Sequence, residues 1–273
     1  MFSLTFIPSS EIYRVLQNHF NNKHYTAAFT MKIKNPKNRS DLSIKHSDHV
    51  LEIGGGHNPH PRANVVVDKF PDINYHRSGD IKVLKHQTFI PADGENLPFK
   101  DKEFDYVICC QVLEHVNDPA KFLAEQFRVS KRGYIETPSM LGEHLFPKNA
   151  HKWILHEHEE VLYLVDKSTI DFRVGYDLGE LIQLYLPTHS IGFKIMERTH
   201  PNLVTIRIEW ETNFKFVVQP ADPVILNYFT GKWKLDWGDD FFPPKTILQE
   251  LSEASLAFIQ IARRALMTKV FKK

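Results

Sequence analysis

Between residues 49 and 137 the chain carries five short apolar runs rich in β-branched side chains, at 49–53, 65–67, 88–92, 104–110 and 133–137. Several are continuous rather than alternating, the pattern of parallel strands buried on both faces. Between the last two lies a helix signal: Asp118 as N-cap, Pro119 at the first position, and Ala120, Leu123, Ala124 and Phe127 along one face. Strands interleaved with helices restrict this region to an α/β sheet.

At 273 residues the chain is long enough for one large domain with additions or for two small domains. Its 34 basic and 33 acidic residues leave a net charge of +1, without the basic excess that binding to a long nucleic acid calls for. Cys109 and Cys110 are the only cysteines, so there is neither a disulfide framework nor a CxxC metal pattern. With no signal-peptide pattern and no run of about 18 apolar residues, a cytoplasmic protein is expected.

Four sites in this region carry chemistry. Val50-Leu51-Glu52-Ile53-Gly54-Gly55-Gly56 is an apolar strand ending in glycines, where a ligand can approach bare backbone, or where the chain simply turns. A dinucleotide fingerprint needs a third glycine where Pro59 stands, which disfavours NAD. Asp68 closes the second run and can accept two ribose hydroxyls or start a turn. Asp93, closing the third, can accept an adenine amino group. The fourth run leads through Gln111 into a polar turn bearing His115.

The ordered set from Val50 to Pro138 resembles the class I, Rossmann-like S-adenosylmethionine-dependent methyltransferases, of the small-molecule type related to ubiquinone and menaquinone biosynthesis enzymes. The resemblance rests on Asp93-Gly94-Glu95-Asn96-Leu97-Pro98-Phe99, Phe104-Asp105-Tyr106-Val107 and Leu113-Glu114-His115-Val116 at this spacing. It implies a doubly wound, mostly parallel seven-stranded sheet. It further implies that Glu52, Gly54 and Gly56 hold the methionine end of S-adenosyl-L-methionine, Asp68 the ribose and Asp93 the adenine. Gln111 then lies beside the sulfonium, and the product is S-adenosyl-L-homocysteine. The chain departs from the family between Gly56 and Val65, where eight residues with Pro59 and Pro61 leave no room for a crossover helix. His57, Asn58, His60 and Arg62 of that loop are then candidates for the cofactor carboxylate.

Methyl transfer mainly needs alignment; an oxygen acceptor also needs a base. His115 is the catalytic candidate, its other reading being a turn histidine bonded to backbone. No metal is expected: His156 and His158 share a strand face with His144 and His151 near in sequence, but no third ligand has a recognisable spacing. Cys109 and Cys110 read as small core residues.

The expected organisation is a helical cap and basic loop over 1–48, with a helix from Ser10. The cofactor-binding core follows at 49–140. Residues 141–243 hold the remaining strands and the acceptor-recognition region, and a basic amphipathic helix fills 244–273. In the third part, runs at 161–165 and 204–210 read as strands, the latter turning at Thr212-Asn213 into 214–218. Residues 177–185 read as a helix and 220–244 as irregular. Trp153, Trp210, Trp233 and Trp237 either line the acceptor site or fill the core. The expected acceptor is a small molecule, a sugar or a lipid-linked compound. The alternatives are an RNA, with the 32–45 loop on phosphates, and an interaction module without catalysis. The last helix, with Ile247, Leu248, Leu251, Phe258 and Leu266 against Arg263, Arg264 and Lys269, can also lie on an anionic membrane.

Overall fold

The computed structural model describes residues 31–70, 79–172 and 177–270. The helix expected from Ser10 lies outside them. The main sheet has seven strands in the order β1-β9-β6-β5-β2-β3-β4. Its members are β1 (Met31–Lys34), β2 (Val50–Ile53), β3 (Val65–Asp68), β4 (Thr88–Pro91), β5 (Tyr106–Cys110), β6 (Arg132–Pro138) and β9 (Thr205–Glu211). The five strands read from the sequence are parallel, and β9 runs antiparallel between β6 and β1. β2 is buried throughout, and β5 up to its last residue, which is why their sequences do not alternate.

The seventh strand corrects one expectation. Residues 32–45 read as loop, yet Met31–Lys34 is a strand pairing with β9. The rest of that segment covers one sheet face, where Leu42 and Ile44 pack on Val50, Tyr106, Ile108 and Tyr134. Glu209, fully buried on β9, fastens it by accepting bonds from the Ser43 amide (2.6 Å), the Ser43 hydroxyl (3.0 Å) and the Tyr106 hydroxyl (2.6 Å). A buried carboxylate needs such partners.

On the opposite face, helix α1 (Pro119–Val129) begins as expected, the Asp118 carboxylate accepting the Lys121 amide at 3.0 Å. Its buried face is rotated from the expected one. Phe122, Leu123, Gln126 and Val129 are buried, whereas Ala120, Ala124 and Phe127 are half-buried. The chain from Gly56 to Val65 is a series of turns with no helix, as its length requires.

A second sheet, in the order β10-β8-β7, holds β7 (Trp153–His158), β8 (Val161–Asp166) and β10 (Lys215–Val218). The hairpin expected at Thr212-Asn213 does not form. The chain turns there, with Thr212 at φ +68°, but β10 joins β8 instead. Both edges of β9 are already paired with β6 and β1, so no backbone groups remain for a hairpin partner. Helix α2 (Met140–Leu145) precedes this sheet, and a π-helical turn (Glu180–Tyr185) leads towards α3 (Ile191–Thr199). Residues 220–244 are less irregular than expected: α4 (Pro223–Thr230) repeats the Asp-Pro start, Asp222 accepting the Val224 amide at 2.8 Å. Trp153, Trp210 and Trp237 are buried and Trp233 is half exposed, so three of the four tryptophans are core. Helix α5 (Ile247–Val270) closes the described chain and packs on α3.

Candidate cofactor site

The chain leaves β2 for β3 and β4 on one side of the sheet, then returns to place β5 and β6 on the other. Ligands of open α/β sheets bind at such a reversal, beyond the carboxyl ends of the strands. A cleft of about 580 Å³ lies there, between the segments following β2 and β5. Glu52, Gly54, Gly56, Asp68, Asp93, Gln111 and His115 all line it, so the fold brings these seven residues read from the sequence together.

The glycine turn is built for close approach. Gly54 sits at φ +74° and donates its amide to Val67 O at 2.7 Å. A Cβ there would stand 2.3 Å from Val112 Cγ2. Gly56, at φ +52°, accepts the Lys82 amide at 2.9 Å. Gln111 adopts φ +56° where β5 ends, its amide held by Glu136 O at 2.8 Å and its side chain reaching Glu136 Oε1 at 3.3 Å. A non-glycine residue in this region costs energy, and such residues gather at functional sites.

Both Glu52 oxygens are occupied. Oε1 accepts Arg39 Nη2 at 2.6 Å and Oε2 accepts the His60 amide at 2.6 Å. Burial pushes its pKa up to about 7, with Arg39 and the His60 amide acting in the opposite direction. Arg39, hidden inside the basic loop of the sequence, lines the cleft and also donates to Asn58 O at 3.1 Å. Its Nε is buried with no hydrogen-bond partner among the described residues. In the 57–62 loop, His57 and Asn58 face the cleft. His60 and Arg62 are turned to backbone carbonyls, His60 to Arg39 O and Arg62 to Lys45 O and His46 O.

Asp68 accepts the Phe70 amide at 3.0 Å, so the turn read from the sequence exists on the cleft wall. Asp93 accepts the Glu95 amide at 3.0 Å and pairs with Lys69 at 2.6 Å. Burial raises its pKa, but the bonds from Lys69 and Glu95 outweigh that and hold it below the usual carboxylate range. Burial lifts both thiols well above the ordinary range, which disfavours the thiolate that a nucleophilic role for Cys109 or Cys110 would need.

The turn after β5 (Leu113–His115) packs on the segment before β7, Glu114 O accepting the Lys152 amide at 2.8 Å. His115 Nδ1 lies 3.0 Å from Ala150 O, a backbone partner distant in sequence rather than in its own turn. Glu114 is fully buried, Thr137 Oγ1 donating to its Oε2 at 3.0 Å, and burial raises its pKa to about 7 against the pull of His151. The histidines grouped by sequence separate: His156 and His158 share a face of β7 beside Tyr228, His144 packs on Phe172, and His151 lies against His115.

Residues 72–135 match the model of a methyltransferase domain. An uncharacterised protein of Methanocaldococcus jannaschii is 45% identical over 60 residues, covering 20% of this chain and 29% of that protein. The demethylmenaquinone methyltransferase of Renibacterium salmoninarum is 44% identical over 59 residues, covering 20% of this chain and 25% of that enzyme. The chain thus spans under a third of the length of these relatives. Among solved structures, a Haloferax volcanii putative methyltransferase, in complex with the Trm112 methyltransferase activator, is 15% identical with a TM-score of 0.35. That match covers 64% of this chain and 86% of that one. Sheet order, glycine turn and matched segment together identify a class I, Rossmann-like methyltransferase domain, whose methyl donor is S-adenosyl-L-methionine.

Proposed function

We propose that the whole chain transfers a methyl group from S-adenosyl-L-methionine to a small-molecule, sugar or lipid-linked acceptor. The observation that carries this reading is the convergence of Glu52, Gly54, Gly56, Asp68, Asp93 and Gln111 on one cleft at the sheet's reversal point. The methionine end lies on the glycine turn, with its carboxylate facing Arg39, which Glu52 orients. Asp68 takes the ribose. Asp93 takes the adenine amino group once Lys69 swings away. Gln111, held by Glu136, lies beside the sulfonium. His115 stands on the cleft wall as the residue that meets the acceptor. The protein's task is to hold acceptor, methyl and sulfur in line, since the sulfonium is already a good leaving group.

The charges that an RNA reading would use on residues 32–45 are partly engaged: Lys32 pairs with Glu157, Lys34 with Asp41 and Glu209, and Arg39 with Glu52. A membrane-surface role for α5 has a specific observation behind it. Ile247, Leu248, Leu251, Phe258 and Leu266 are each more than half exposed. That apolar face suits a lipid-linked acceptor.

The test is binding of S-adenosyl-L-homocysteine, followed by turnover. A ligand confined to the folded state stabilises it by about 2.7 kcal/mol at a hundred times its Kd. A rise in melting temperature and transfer of radiolabelled methyl into a metabolite extract are expected. No thermal shift and no calorimetric heat at millimolar ligand would end the reading. Binding without transfer to any extract would leave an interaction module.

A further inference from the structure

We propose that Glu114, His115 and His151 form a site for a divalent transition-metal ion on the wall of the cofactor cleft. One ligand atom from each lies within 4.8 Å of the others. The cluster forms because the turn after β5 and the segment before β7 are laced together by Lys152 N to Glu114 O and by His115 Nδ1 to Ala150 O.

Proton placement follows from the partners. A ring nitrogen facing a carbonyl or carboxylate oxygen must carry the hydrogen. His115 Nδ1 therefore donates to Ala150 O at 3.0 Å, and His151 Nδ1 to Glu143 Oε2 at 2.5 Å. In a neutral imidazole the other nitrogen, Nε2, is then a lone pair. Both Nε2 atoms face Glu114 Oε1, at 3.8 Å from His115 and 4.0 Å from His151. Those separations are too long for hydrogen bonds. They approach the roughly 3.4 Å between neighbouring ligands around an ion with bonds of about 2.1 Å at tetrahedral angles.

A second observation points the same way. Glu114 Oε1 is buried and has no hydrogen-bond partner among the described residues, although the side chain itself is fully buried. An unpaired buried carboxylate oxygen is costly, and a cation between it and two imidazoles removes that cost. Glu143 completes the arrangement. It is buried, takes Lys167 Nζ at 2.6 Å and the Lys148 amide at 3.2 Å, and so holds His151 in orientation as a carboxylate behind a metal-bound histidine does.

Two imidazoles and one carboxylate suit zinc and its first-row neighbours, and three protein ligands leave a coordination position for an outside oxygen. Since His115 also lines the cleft, the ion sits where the acceptor is placed. On the methyltransferase reading, which this step alone requires, an acceptor hydroxyl binds the ion and its proton passes to solvent. The oxygen lone pair then forms the bond to the methyl carbon as the carbon–sulfur bond breaks. His115 is then a ligand rather than the base.

The full chain, stripped with a chelator and desalted, is titrated with Zn²⁺ in a competition assay and with Co²⁺ by visible absorption. We expect one equivalent bound and an intense, low-symmetry Co²⁺ spectrum. Affinity should fall 10–100-fold in Glu143→Gln and at least 100-fold in His151→Ala. Zn²⁺ should also protect His115 and His151 of the unmutated protein from diethyl pyrocarbonate, which needs no variant to fold. Absence of stoichiometric binding, unprotected histidines, or unchanged affinity in a folded His151→Ala protein would each overturn the site. The thermal shift with S-adenosyl-L-homocysteine, measured on the same samples, reports separately on the cofactor reading.

Discussion

Asp68 and Glu52 are both carboxylates at the ends of strands, and their surroundings give them different tasks. Asp68 already holds the Phe70 amide on the cleft wall, where the proposed function assigns it to the ribose. Asp68→Ala is expected to weaken S-adenosyl-L-homocysteine binding by about 1–3 kcal/mol in calorimetry, the cost of deleting hydrogen bonds to a charged acceptor. Glu52 is spent on Arg39 and the His60 amide. Its pKa in the folded protein is about 7 against an ordinary 4.5, so the folded state binds its proton more tightly than the unfolded one. The stability tied to that proton is present below the ordinary value and is lost as pH rises to about 7. Glu52→Gln does not titrate. The stability of wild type relative to this variant should therefore fall by about 3 kcal/mol between pH 4.5 and 7, then level off, at 1.36 kcal/mol per unit. Denaturant melts of the ligand-free proteins across that range would check it; a constant difference would be inconsistent with a raised pKa.

At the scale of elements, the same two-residue signal starts two helices. Asp118-Pro119 opens α1 and Asp222-Pro223 opens α4, each aspartate accepting an amide of the first turn. Only the first stands out in the sequence, because an apolar stripe follows it; α4 is eight residues long, and apolar side chains surround its axis. Asp118→Ala should cost about 1 kcal/mol, read as a melting temperature about 2–4 °C lower with cofactor affinity unchanged. The rotation of α1 has a packing cause. Phe122 touches the position where Gly94 would bear a Cβ, only 2.4 Å from its ring, so the helix is seated by the loop after β4 as well as by the sheet. Phe127 is drawn instead into contact with Trp210, Phe214 and Phe216. Periodicity identifies an amphipathic helix but cannot say which neighbours compete for its flanks.

For the whole molecule, the described chain combines the cofactor sheet, a small second sheet and a long helix whose packing is one-sided. On α5, Ala257 is buried and Lys245 ties its start to Glu253 and to Thr199 O, while the larger apolar side chains face outward. No helix among the described residues is long and apolar enough to cross a membrane. A basic amphipathic helix can nonetheless lie on an anionic surface, each basic residue adding about 1 kcal/mol. Removing residues 255–273 is expected to leave S-adenosyl-L-homocysteine affinity intact and to abolish sedimentation with anionic vesicles at low salt. Full-length protein that never sediments would assign the outward face to another occupant and the acceptor to the aqueous phase.

What the amino-acid order determines by itself is local. Continuous apolar runs mark parallel strands, Gly54 and Gly56 mark the turn where side chains are excluded, and the eight residues after Gly56 forbid a crossover helix. The carboxylates at strand ends could be named because strand, turn and residue type are adjacent in the chain. Tertiary structure decided the remainder, where contacts join distant segments. Thus β1 is a strand because β9 offers a free edge, and β10 leaves β9 because both of its edges are taken. Arg39 reaches Glu52 because Leu42, Ile44 and Ser43 pin its loop to the sheet. His151 meets Glu114 and His115 across more than thirty residues of sequence, through hydrogen bonds that no spacing rule encodes. Strand and turn signals are short-range, whereas edge pairing and the burial of charge depend on which other segments compete for the same groups.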